Sequence, residues 1–216
     1  MIVATWNVNS VKIRVENTLA WLKERDPDIV CLQELKCVDE AFPREAFETA
    51  GYNVATHGQK TYNGVAILSK LPLEDVTSRL PGDEADEQAR YLEAVVSTAT
   101  GAVRVGCLYL PNGNPIGTEK FAYKLAWMDR LIRHAKNRLA LEEPFLLCGD
   151  YNVIPMPEDA KNPKEWLNDA LFQPESRGKL RQLAALGFTD ALRACDDSPG
   201  LYSFWDYQAG AWQRNN

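Results

Sequence analysis

The spacing of hydrophobic and polar positions changes repeatedly along this chain, and each change marks an element. Residues 2–8 read as a strand that runs out into the polar Asn7-Val8-Asn9-Ser10. Val15, Leu19 and Leu22 then recur at helical spacing, which predicts a helix over 11–25, capped by Ser10 and stopped by Asp26-Pro27. Ile29-Val30-Cys31-Leu32 is a short continuous apolar run, the pattern of a strand buried on both faces, with Gln33-Glu34 at its far end. A second helix is predicted over 44–50, closed by Gly51. Strands follow over 52–56 and 64–69, separated by the polar loop 57–63, and an acidic loop covers 83–88. Strands over 90–98 and 103–110 flank a turn at Thr100-Gly101. The longest helical pattern, 119–141, places Phe121, Leu125, Met128, Leu131, Ile132 and Leu139 on one broad face. Phe145-Leu146-Leu147-Cys148 is a second run of the both-faces-buried kind, and short helices are predicted over 164–171 and 176–186.

Strands and helices alternate, yet the paired strands in the middle read as hairpins rather than crossovers. The expected fold class is therefore α/β: a layered sandwich of two mixed, largely antiparallel sheets flanked by helices. No repeat, low-complexity segment or linker-like stretch interrupts the 216 residues, so a single domain over 1–216 is expected. Apolar residues make up 45% and charged residues 25%, an ordinary globular balance, and no apolar run approaches a membrane span. The start, Met1-Ile2-Val3-Ala4-Thr5-Trp6, has no basic region followed by a long apolar stretch, which speaks against a signal peptide. Five scattered cysteines without metal-knuckle spacing read as reduced thiols, and a cytoplasmic location is the expectation. The net charge of −6 is a poor global footprint for a nucleic-acid binder, but a local basic groove can sit on an acidic globule.

The candidate chemistry lies where apolar runs end. Phe145 to Cys148 leads into Gly149-Asp150-Tyr151-Asn152. Gly149 has no side chain, so backbone or ligand can come close there. If the chain stays extended, Asp150 and Asn152 point to the same side. A carboxylate accepts protons or orients water, and a carboxamide offers donors to an anionic oxygen. An Asp-Asn turn after a strand is the plainer alternative. Asn7 and Glu34 also follow apolar runs, and Tyr109 lies near the end of another. Polar groups at strand ends converge on one edge of a sheet, where α/β folds place ligands. Glu34 is a hard oxygen ligand, and one or two carboxylates with waters and a substrate phosphate are how Mg²⁺ is usually held. With only His57 and His134 in the chain, a two-histidine zinc site is disfavoured. His134, beside Arg130, Arg133 and Lys136, reads as a surface residue.

Five segments in order resemble the exonuclease III family of AP endonucleases, part of the endonuclease/exonuclease/phosphatase superfamily. They are Thr5-Trp6-Asn7-Val8-Asn9-Ser10, Pro27-Asp28-Ile29-Val30-Cys31-Leu32-Gln33-Glu34-Leu35-Lys36, Tyr62-Asn63-Gly64-Val65-Ala66, Gly149-Asp150-Tyr151-Asn152, and Tyr202-Ser203-Phe204-Trp205-Asp206-Tyr207. The resemblance implies a Mg²⁺-dependent phosphodiesterase, with Mn²⁺ as a substitute, acting on duplex DNA. It would cut on the 5′ side of abasic sites and remove 3′ nucleotides or 3′ blocking groups. By the same resemblance Glu34, helped by Asn7, holds the metal; Asp150 orients or activates the attacking water; Asn152 and Tyr109 hold the scissile phosphate. Phe204 and Trp205 fall where the family builds its pocket for a flipped abasic sugar, though a late strand's aromatic core is an equal alternative. Arg90 and Lys120 match positions near the DNA backbone, or are solvated surface charges. A monomer without membrane partners is implied.

In that family a Gly-x-Arg-Ile-Asp segment and a Ser-Asp-His motif follow the aromatic block, and neither occurs before Gln213-Arg214-Asn215-Asn216. The resemblance thus implies a C-terminally incomplete domain lacking the catalytic histidine and some strands, whose own activity is in question. Two other functions stay open: a catalytically defective DNA-binding fragment, and a superfamily phosphoesterase acting on phosphoinositide or phospholipid headgroups. The absence of a basic amphipathic helix counts against the latter.

Overall fold

The computed structural model describes residues 1–207 and 210; the chain end at 213–216 lies outside them. The chain divides into two compact units. One comprises residues 1–110 and 136–151, the other residues 111–135 and 152–216.

The first unit holds two four-stranded sheets. In the first sheet β1 (Val3–Asn7) pairs parallel with β2 (Ile29–Gln33), β2 antiparallel with β4 (Val65–Ser69), and β4 antiparallel with β3 (Asn53–His57). In the second, β5 (Leu73–Ser78), β6 (Tyr91–Thr98) and β7 (Gly101–Tyr109) run antiparallel in sequence, and β8 (Phe145–Asp150) joins β7 in parallel. This is the expected sandwich of mixed, largely antiparallel sheets. The unbroken apolar run of β2 has a simple cause. Ile29 and Cys31 face the inter-sheet core with Ile67, Leu92 and Val105, while Val30 and Leu32 pack with Leu22 and Phe47 of α1 (Val15–Arg25) and α2 (Arg44–Thr49). All four are fully buried.

On the helix side of the second sheet lies a buried ion network. The fully buried Glu93 accepts from Tyr91 Oη at 2.7 Å and pairs with Arg104 at 3.1 Å and with Arg138. A carboxylate is tolerated there because two guanidiniums and a hydroxyl replace its water.

The second unit is helical and irregular. It contains the start of α3 (Glu119–Leu139), α4 (Pro174–Ala184), α5 (Ala191–Cys195) and a small cluster of Ile154, Ala160 and Phe172.

Several expectations are corrected. Strand β5 was not foreseen: its Glu74, Asp75 and Val76 are exposed and its pairing slips between Glu74 and Thr77, so it carries no alternation. Ser10 does not cap α1; a 3-10 turn at Lys12–Arg14 intervenes. The helix expected over 164–171 is only a 3-10 turn at Pro163–Trp166. β8 is half-buried at an edge of its sheet, not buried on both faces. The buried face of α3 is Lys124, Trp127, Met128, Leu131 and Ala135, rotated from the one read off the apolar residues. His134, read as a surface residue, is only 8% exposed because it borders that face, as does Arg130 at 6%. Residues 201–207 form no strand, which removes the late-strand reading of Phe204 and Trp205.

Candidate active site

Asn7, Tyr109 and Asp150 are the last residues of β1, β7 and β8, and Glu34 is the first residue beyond β2. Parallel pairing in each sheet puts these exits side by side: Asn7 is in register with Gln33, and Tyr109 with Asp150. Backbone pairing continues past the strands. Ser10 N–H donates to Glu34 O at 2.7 Å and Leu110 N–H to Asp150 O at 2.9 Å, so the exits are held rather than frayed. At Gly149, φ is +150° and an added Cβ would lie 1.9 Å from the Leu108 carbonyl oxygen. The bare backbone foreseen there is what lets β8 approach β7 just before Asp150.

The side chains converge. Asn7 Nδ2 donates to Glu34 Oε1 and to Asp150 Oδ2, both at 2.8 Å. Its Oδ1 accepts from the Asn9 backbone N–H at 3.0 Å, which fixes the amide's orientation. Tyr109 Oη donates to Glu34 Oε1 at 2.9 Å, and Lys36 Nζ approaches Glu34 Oε2 at 2.9 Å while also donating to Asn9 Oδ1. Burial pushes the Glu34 carboxyl upward, but hydrogen bonds from Asn7, Lys36 and Tyr109 outweigh it and hold the group below the usual carboxylate range. Burial, then the neighbouring Glu34 charge, pushes the Tyr109 phenol well up, so it stays a protonated donor. Arg90 stacks over the Tyr109 ring at 4.9 Å and donates to the Tyr109 carbonyl.

Glu34, Asp150, Asn7, Tyr109 and Arg90 are thus brought together within the first unit. Lys36, to which the sequence reading gave no role, joins them, and nothing in its spacing marks it. The remaining candidates belong to the second unit. Asn152 follows Asp150 by two residues but has φ +45°, so the chain turns there and strand alternation does not orient it. Lys120 is exposed in the first turn of α3, Phe204 is 67% exposed and Trp205 is half-buried. Among the described residues no group of three or more His, Cys, Asp or Glu side chains is arranged around a metal position. The available donors are carboxylate oxygens. A groove along edge strands β3 and β5, lined by Glu48, Tyr52, Asn53, Val54, Leu73 and Val76 among others, brings no second carboxylate beside Glu48.

Residues 4–216 match the endonuclease/exonuclease/phosphatase family. The chain belongs to that family. An exodeoxyribonuclease from Bacillus subtilis is 34% identical over 215 residues, covering 98% of this chain and 82% of its own length. Among solved structures, an AP endonuclease from Archaeoglobus fulgidus superposes with a TM-score of 0.91 at 37% identity, covering 99% of this chain and 82% of that one. A 3′ phosphatase from Neisseria, bound to product DNA hairpin, gives a TM-score of 0.94 at 34% identity and covers 100% and 82%. The resemblance to the exonuclease III branch carried by the five motifs is borne out. No helix among the described residues is long and apolar enough to cross a membrane.

Proposed function

We propose that this chain is a DNA-repair nuclease that hydrolyses phosphodiesters of duplex DNA 5′ to abasic sites and clears 3′ ends, using Mg²⁺. The observation that carries the proposal is the Asn7 amide bridging two carboxylates from different sheets. Holding like charges this close is costly unless a cation or a reacting group uses them. The nuclease class accords with the family and with the names of its relatives.

The family is one of divalent-metal-dependent nucleases, and the donor set fits such an ion. Glu34 stays ionised and offers a hard oxygen, with Asp150 beside it, a set that suits Mg²⁺ or Mn²⁺ with water and phosphate oxygens completing the shell. Asn7 spends both ends of its amide on Glu34, Asp150 and Asn9, so its part in the metal site of this reading is to bridge the two carboxylates at a fixed spacing. When bound, the ion would neutralise charge that develops on the phosphate. Asp150 accepts a proton from, or orients, the attacking water. Tyr109, kept protonated, and Asn152 donate to phosphate oxygens. Arg90 holds the Tyr109 ring and adds positive charge. Lys120 meets the DNA backbone, and the exposed Phe204 with Trp205 takes the baseless sugar.

The test is incubation of the purified protein with an abasic duplex, a 3′-phosphate duplex and a phosphoinositide, with Mg²⁺, Mn²⁺ or EDTA. Mg²⁺-dependent nicking 5′ of the abasic site is expected. DNA binding without nicking would support the defective-fragment alternative, and headgroup hydrolysis the lipid one. Sedimentation of a single 24.3 kDa species would bear out a monomer.

A further inference from the structure

Lys124 is fully buried, on the innermost face of α3 beside Trp127, Met128 and Leu131. Its Nζ donates to the backbone carbonyl of Asn112 at 3.0 Å and to that of Asn152. The surroundings are built around its stem: Gly113 has φ +89°, and a Cβ there would lie 2.6 Å from Lys124 Cδ and 3.2 Å from Ala170 Cβ. A methionine or leucine would fill the same space without the desolvation cost of an ammonium, so the charge is explained by what it holds. Asn112 comes three residues after Tyr109, and Asn152 two after Asp150. Both therefore sit on the segments leaving the paired strands β7 and β8. Asn152 adopts φ +45°, a conformation that asparagine tolerates but does not prefer, and its carbonyl is fixed by the ammonium. Fixing that peptide plane fixes the direction in which the Asn152 side chain leaves the backbone.

We propose that Lys124 is a positioning residue for the nuclease reaction, its ammonium locking the Asn112 and Asn152 backbones so that the Asn152 carboxamide is aimed at the scissile phosphate. This rests on the reading of Asn152 as a phosphate donor. The test is a double-mutant cycle in the whole protein with Lys124→Met, Asn152→Ala and both together, measuring kcat and KM on an abasic duplex along with thermal melting. Lys124→Met keeps the apolar stem and removes the ammonium with its two hydrogen bonds to the loop carbonyls. Its kcat is expected to fall roughly 10- to 100-fold, with KM within about twofold. The double variant should be no more than about threefold slower than the slower single variant, because residues acting as one unit do not add. Multiplicative losses overturn the proposal, as does a lowered melting temperature with an unchanged kcat per folded molecule. If Asn152→Ala alone keeps the parental rate, the phosphate-donor reading fails first and this inference with it. Should Lys124→Met not fold, Lys124→Gln, which keeps a shorter neutral donor, takes its place under the same criteria.

Discussion

Replacing Asn7 by alanine removes the bridge between the two carboxylates, and its cost can be worked from the geometry. Both acceptor oxygens lie 2.8 Å from one nitrogen, so they cannot be more than about 5.6 Å apart. At an effective dielectric of about 20, two unit charges at that distance repel by about 3 kcal/mol. Each hydrogen bond to a carboxylate contributes roughly 1.5–3 kcal/mol to stability. That repulsion is present in parent and variant alike, so what the variant loses is the pair of hydrogen bonds that offset it, and water restores part of them, since the Glu34 side chain keeps 19% of its exposure. A net loss of about 2 kcal/mol remains, or roughly 4–8 °C in melting temperature for a chain of this size. The assay is thermal melting of parent and Asn7→Ala in EDTA and in millimolar Mg²⁺. In EDTA the variant should melt lower. Mg²⁺ should raise its melting temperature by more than it raises the parent's, because a cation relieves a repulsion that the amide no longer offsets. Asn7→Asp, which adds a third carboxylate, should exaggerate both effects. If Asn7→Ala melts with the parent in EDTA, or gains no more from Mg²⁺, the two carboxylates are not under the tension described and the argument from their closeness fails.

Glu34→Gln should abolish most Mg²⁺-dependent cleavage and also lower stability measurably in denaturant melts, since its new amide donor would confront Lys36 Nζ, which now lies 2.9 Å from Oε2; a variant with full cleavage would remove Glu34 from the metal site. Asp150→Asn should leave DNA affinity within a few-fold while turnover falls at least a hundredfold, read by fluorescence anisotropy and single-turnover cleavage; equal losses in both would make Asp150 a binding residue. Burial, helped by Arg79 and opposed by Asp39, lowers the pKa of His57, and its Nε2 is buried without a hydrogen-bond partner. The fold therefore holds the neutral ring, the unfolded chain takes up a proton below about pH 6.5, and stability falls as pH drops below that value. Denaturant melts between pH 7.5 and 5.5 should show a steeper loss for the parent than for His57→Gln, and identical slopes would refute the assignment.

The strands most legible in the sequence were those whose environment is uniform. β2 and β4 are buried on both faces, so every residue reports the same thing, and the β6–β7 hairpin is announced by Thr100-Gly101. The site was legible for a related reason. An apolar run that ends abruptly in Asn, Glu or Asp marks a strand exit, and parallel neighbours bring their exits together. What was hidden involves charge in unexpected places. Glu93 sits wholly buried in β6 and Lys124 in α3, and each is compensated by partners remote in sequence, Arg104 and Arg138 for one and two loop carbonyls for the other. A pattern that scores charges as exposed rotates the helix away from Lys124 and, with it, misplaces His134. β5 failed for the opposite reason: it is mostly exposed and bulged, so its pattern resembles a loop.

The turn at each strand exit explains why a rigid sandwich can present such closely set groups. Asn9, Ser10, Glu34, Lys36 and Asn152 all have positive φ and all lie just beyond β1, β2 or β8. Glycine would adopt these angles without strain, yet Glu34 and Lys36 carry long side chains there, at roughly 1–3 kcal/mol each. Such angles persist because the flanking backbone is over-determined. Ser10 and Val11 donate to Glu34 and Leu35, while Leu35 and Lys36 donate to Gly64 and Asn63. The Glu34 segment is thereby held by neighbours on two sides, and its side chain leaves the turn toward Asn7 and Tyr109 instead of following the pleat. Glycine at position 34 would relieve the strain and lose the carboxylate; a regular strand would keep the carboxylate and aim it by alternation alone. Only the strained exit delivers a charged oxygen to the gap between β1 and β8, and that placement is what the proposed chemistry requires.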